Sequence, residues 1–95
     1  MTDKKNYQKK LEAYLDKWDA KIDELNAKAA QAEAESRLQY EKSIDELKKK
    51  RAEVQEKLED IKKQGEDSWE DIKNATEGII SDLDARLQAV IESFK

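Results

Sequence analysis

From Tyr40 to Gly65 the chain reads YEKSIDELKKKRAEVQEKLEDIKKQG, and its apolar residues Ile44, Leu47, Val54, Leu58 and Ile61 recur at steps of three and four with only Arg51 interrupting. A seven-residue repeat of this kind lays a narrow apolar seam along one side of a helix, as in a coiled coil. The residues between are charged or polar and face water. A seam of that sort has to be covered by another helix, so the stretch dictates helix packing.

The flanking segments carry stripes of their own. Tyr7, Leu11, Tyr14, Trp18, Ile22, Leu25 and Ala29 follow one another at steps of three and four, and over this run the repeat reads as eleven residues, or 3.67 per turn. Trp69, Ile72, Thr76, Ile79, Leu83, Leu87, Val90 and Phe94 make the last stripe, with the same eleven-residue pattern from Ile72 onward and with Ile80 and Ile91 widening it. The aromatic residues keep helical register, which makes them core residues rather than a ligand site. A short internal repeat links the first two segments: IDEL at 22–25 recurs at 44–47, twice eleven residues on, and so on nearly the same helix face.

Punctuation is sparse. The strongest break is KKQGEDSWED, residues 62–71, where Lys62 and Lys63 suit a helix C-terminus and Gly65 the left-handed position just past it. Glu66 and Asp67 suit the next N-terminus, and Ser68 with Asp71 resembles a capping box. Residues 26–37, NAKAAQAEAESR, hold five alanines and no Gly or Pro. Alanine is the best helix former, so this stretch reads as unbroken helix. The expected fold is all-α: one amphipathic helix over about 5–63, a turn near Gly65, and a shorter helix over about 67–94 folded back antiparallel onto roughly 38–64. The alternative is a three-helix bundle broken near Ser36. A 5–63 helix would be about 87 Å long. The returning helix would leave Leu11, Tyr14, Trp18, Ile22 and Leu25 uncovered, so a homodimer is expected.

Composition agrees with long helices in a single domain: 95 residues, 44% charged, no Pro, no Cys and two Gly. Without cysteine nothing points to an oxidising compartment, and MTDKKNYQKK has no apolar run behind its lysines, so a cytoplasmic location is expected. Residues 1–65 carry 16 Lys/Arg against 15 Asp/Glu, whereas 66–95 carry 3 against 8. That balance does not favour nucleic acid. Acid-before-base pairs four apart (Glu24/Lys28, Glu33/Arg37, Asp45/Lys49, Glu46/Lys50, Glu53/Lys57, Glu59/Lys63) pattern the polar faces, each adding about 0.2–0.5 kcal/mol.

Chemistry has little to work with. Histidine and cysteine are both absent, which removes the commonest general base, the thiolate nucleophile and ordinary zinc sites. The serines have no histidine to activate them, two glycines make no phosphate-cradling loop, and solvated carboxylates have no reason to shift pKa. No catalytic residue, cofactor or metal is expected. Two amphipathic functions stay open: pairing with other helical proteins, or, as the lesser reading, lying of Ile79–Phe94 on a lipid surface. Asp82, Asp84 and Glu92 make the polar face of that helix acidic, where anionic membranes select Lys and Arg.

LEAYLDKWDAKIDELNAKA, LQYEKSIDELKKKRAEVQEKLED and the SWEDIKNATEGI segment together resemble small bacterial coiled-coil proteins described as stress-response proteins, some of them cyanobacterial. The resemblance implies a soluble protein connected with stress and carries over no catalytic residue. This chain departs from that pattern in Gly78 and in its Leu/Ile-rich end.

Overall fold

The computed structural model describes residues 2–65 and 68–93. These residues are 93% helical, with no strand among them. Three helices follow in order: α1 (Thr2–Ala30), α2 (Ala34–Lys63) and α3 (Trp69–Ser93). Side-chain pairs fix their directions. Arg51 meets Asp19 and Lys62 meets Glu12, so α2 runs back along α1. Arg86 meets Glu46, Lys50 meets Asp82, and the Tyr40 hydroxyl donates to the Ser93 carbonyl, so α3 runs back along α2. The helical bundle measures 50 × 18 × 18 Å, a rod about as long as the 45 Å expected of a 30-residue helix.

The unbroken helix expected over 5–63 does not form: the chain turns at residues 31–33. The last turn of α1 tightens, with the Gln31 and Ala32 N–H groups donating to the Lys28 and Ala29 carbonyls, both at 3.1 Å. The Arg37 guanidinium then reaches back to the Ala30 and Ala32 carbonyls, both at 3.2 Å. These are the carbonyls that a helix end leaves without partners. Glu33 opens α2 in an extended conformation, φ −66° and ψ 155°, with no side-chain cap. Local propensity favours continuing the helix by less than about 1 kcal/mol per residue. Turning instead buries Leu11, Trp18, Ile22 and Leu25 against the chain's own helices, at about 1.5–3 kcal/mol for each large apolar side chain. Burial wins. The apolar strip that called for a partner chain is covered from within.

The second turn falls where expected but is made differently. No glycine has a positive φ, so Gly65 does not take the left-handed position. Gln64 ends α2 in an extended conformation, φ −81° and ψ 151°, its N–H still donating to the Asp60 and Ile61 carbonyls, and the Lys4 ammonium donates to the Gln64 carbonyl. The Ser68 N–H donates to the Gly65 carbonyl at 3.3 Å just before α3. Glu66 and Asp67, expected at the start of the last helix, lie outside the described residues.

The core runs the length of the rod. Its buried residues are Tyr7, Leu11, Leu15, Trp18, Ile22, Leu25 and Ala29 from α1, and Ile44, Leu47, Val54, Leu58 and Ile61 from α2. From α3 come Trp69, Thr76, Ile80, Leu83, Leu87 and Val90. In α3 the buried steps from Thr76 are 4, 3, 4 and 3, a seven-residue repeat where eleven was expected. Helix α2 lies closest to both neighbours, and α1 and α3 run alongside each other across a wider gap.

Candidate functional site

Arg51 interrupts the apolar seam of α2. It occupies the heptad position between Leu47 and Val54, half-buried, and its Nε and Nη2 donate to Asp19 Oδ1 and Oδ2, both at 3.0 Å. Two parallel bonds between guanidinium and carboxylate set geometry as well as attraction. The neighbouring residue, Trp18, is fully buried, and its Nε1 donates to Asp84 Oδ1 on α3 at 3.2 Å. One turn of α1 is therefore pinned to both other helices by consecutive residues.

The second concentration of polar groups lies where α1 and α3 begin. The Tyr7 and Trp69 rings meet with centroids 5.8 Å apart. The Lys10 ammonium lies 5.7 Å from the Tyr7 centroid and 5.8 Å from that of Tyr14, and the Lys73 ammonium lies 5.6 Å from Tyr7 and 5.7 Å from Trp69. Both are within cation–π range. Lys10 also pairs with Glu77 at 3.7 Å. An open cavity of about 280 Å3 sits here, lined by Asp3, Asn6, Tyr7, Lys10, Trp69, Glu70 and Lys73. Its two carboxylates and two ammonium groups balance, and both rings are turned into the core. The Tyr7 hydroxyl is buried without a hydrogen-bond partner. Burial pushes its pKa well above the usual phenol value, and the nearby Glu77 carboxylate adds to the shift through its charge and as a loose acceptor too poorly placed for a full hydrogen bond.

Elsewhere the charged groups make a cross-helix lattice. Arg86 donates to Asp82 on its own helix at 3.1 Å and to Glu46 on α2 at 2.9 Å, while Lys50 reaches Asp82 at 3.3 Å. Bonds from Lys50 first, then from Arg86, hold the Asp82 carboxyl below its usual pKa. Among the expected pairs four apart, Glu24–Lys28 forms at 3.9 Å. Glu53 and Glu59 turn instead to Lys50 and Lys62, three residues away.

Of the residues assigned to the core or interface from sequence, Leu11, Trp18, Ile22, Leu25, Ile44, Leu47, Val54, Leu58, Ile61, Trp69, Leu83, Leu87 and Val90 are buried together. Tyr14, Ile72 and Ile79 are half-buried against that core, and Phe94 lies outside the described residues. Leu15 was missed and Ile80 takes the place given to Ile79; each is the neighbour of the residue that an eleven-residue repeat selects. The cross-helix partners Asp19 and Asp84 were also missed. The unsatisfied place of Arg51 in the seam was the available signal for Asp19.

Among the described residues no cluster of three ligand-type side chains is placed to hold a metal ion, and no helix is long and apolar enough to cross a membrane. What the arrangement offers chemically is a closed apolar core with a pinned surface of alternating charge. No family model matches the chain, and no curated protein or solved structure does either.

Proposed function

We propose that this chain is a non-enzymatic structural or protein-interaction module that works in the cytoplasm through contacts between its charged helix faces and other helical proteins. The resemblance to bacterial stress-response coiled coils adds stress as the setting. The observation that carries the reading is that the three apolar stripes close on one another within one chain, leaving Leu38 as the only large apolar side chain mostly exposed among the described residues. A lipid surface needs such a stripe to be free, whereas a partner helix can be met by charged and polar faces that stay folded.

The lipid reading is the alternative, since α3 is the most apolar of the helices and keeps Ile72, Ile79 and Ile91 only half-buried. It requires α3 to leave the other two. Co-purification from native cells, stressed and unstressed, scored for both protein and bound lipid, tests the proposal together with flotation on anionic and neutral vesicles. A stoichiometric protein partner and no flotation are expected. Bound lipid, or flotation that is lost when residues 66–95 are removed, would reverse the ranking.

A further inference from the structure

The turn at residues 31–33 is built unlike any turn the sequence would be expected to encode. It contains no Gly or Pro, no residue there has a positive φ, and Glu33 caps α2 with no side-chain bond. Gln31 and Glu33 are exposed and Ala32 is half-buried, so little packing holds the segment. Apart from the Gln31 and Ala32 backbone bonds, what braces it is one exposed arginine, Arg37, on two carbonyls. Ala, Gln and Glu are among the best helix formers, so the same residues are as suited to a straight helix as to this turn.

We propose that two copies of this chain exchange α1. The turn straightens, α1 and α2 join into one helix, and α1 of each copy packs against α2 and α3 of the other. Three observations support this beyond the turn itself. The α1 and α2 stripes stay in phase if the helix is continuous: Ile22 and Leu25 precede Ile44 and Leu47 by 22 residues, and 22 steps of about 100° return to the same face within about 40°. Between them on that face lie Ala29, Ala32 and Ser36, small enough for two straight helices to cross.

The register is also already that of a two-fold assembly. The pairs Asp19–Arg51 and Glu12–Lys62 are centred on residues 35 and 37. Two straight antiparallel helices crossing there would make the same pairs between copies, as a two-fold axis requires. Finally, exchange keeps the core: outside the turn, where Arg37 lets go of the Ala30 carbonyl, the contacts α1 makes in the closed chain are made again with the partner, while α3 stays on its own α2. Closed chains prevail when dilute because α1 finds its own chain first, and exchange gains with concentration.

The absence of cysteine makes this directly testable. Glu12→Cys and Lys62→Cys, carried on separate full-length chains, are mixed, unfolded in denaturant, refolded together at several hundred micromolar and oxidised. A disulfide joining the two different chains in a dimer is expected, and a hundredfold dilution before refolding should abolish it. The double variant on one chain, refolded dilute, must close an internal disulfide, which establishes that the 12–62 geometry permits a bridge. If it closes and the mixed chains do not bridge, the exchange does not occur.

Two turn variants test the straightening. Glu33→Pro suits the closed turn, where φ is −66°, but in a straight helix proline lacks the N–H and clashes with the Ala29 carbonyl. Its dimer fraction should fall at least tenfold, with the monomer's helicity intact. Arg37→Gln removes the brace and should raise the dimer fraction several-fold. Dimer fractions unchanged in both variants would overturn the proposal.

Discussion

Tyr7 combines an apolar environment with a buried hydroxyl that makes no hydrogen bond of good geometry. Its ring packs on Trp69 and its hydroxyl is buried without a partner, a situation that costs about 1–3 kcal/mol. Tyr7→Phe keeps the ring and removes the orphan group, so it is expected to stabilise the fold by about 1 kcal/mol in chemical denaturation at neutral pH. The same residue governs behaviour in alkali. Because its folded-state pKa is raised above the ordinary 10.0, its contribution is present in full below pH 10 and is lost as pH rises beyond it, when the unfolded phenol ionises and the folded one resists. The Tyr7→Phe chain should therefore lose less helicity above pH 10 than the parent, followed by circular dichroism. At this scale the sequence was only partly readable. Tyr14 and Leu15, and likewise Ile79 and Ile80, are adjacent apolar residues. A one-residue choice between them depends on whether the helix is read with a seven- or an eleven-residue repeat, which its neighbours decide.

Among the elements, the helices themselves were legible and one of the two turns was not. The seam of α2 and the break near Gly65 follow from spacing and from a run of turn residues. The turn at 31–33 has no such residue, because its carbonyls are satisfied by Arg37 from the following helix and its energy comes from burial of α1 at a distance. Local composition cannot report either. Gly65 was located correctly but assigned the wrong conformation, since the extended Gln64 already ends α2.

Gly78 is the clearest element-scale target. It sits exposed in the middle of α3, and an added Cβ would meet open space. A glycine there weakens the helix by roughly 0.5–1 kcal/mol relative to alanine. Gly78→Ala is accordingly expected to stabilise the chain by that amount with no change in its oligomeric state, measured by thermal and urea unfolding. The Asp82 cluster offers a second test, at the α2–α3 boundary. Its lowered pKa means that its contribution is present above the ordinary carboxylate value of 3.8 and is lost as pH falls from there through the folded value. Asp82→Asn should give a shallower loss of stability on that acid limb, while costing some stability at neutral pH. The effect is small because the group is exposed and salt screens it.

For the whole molecule, the question is whether any pair of helices stands alone. Every helix puts a row of side chains into one shared core, and the largest fully buried one, Trp18, needs all three: it is hydrogen-bonded to Asp84 on α3 and adjacent to Asp19, which binds Arg51 on α2. Removing α3 takes Trp69, Thr76, Ile80, Leu83, Leu87 and Val90 from that core and opens the Asp84 side of Trp18 to water. The remaining α1–α2 pair keeps charged faces and a narrow seam, and most of a protein helix's stability comes from packing its apolar face. A chain of residues 1–65 is therefore expected to lose cooperative unfolding. Its helicity at low concentration should fall well below that of the corresponding residues in the full chain, and Trp18 fluorescence should shift toward that of a solvated indole. The full chain, by contrast, should unfold in one transition, with circular dichroism and tryptophan fluorescence coinciding. If 1–65 retains a sharp transition with Trp18 still shielded in a sedimenting monomer, α1 and α2 form a core of their own, and α3 is an attachment rather than a third wall.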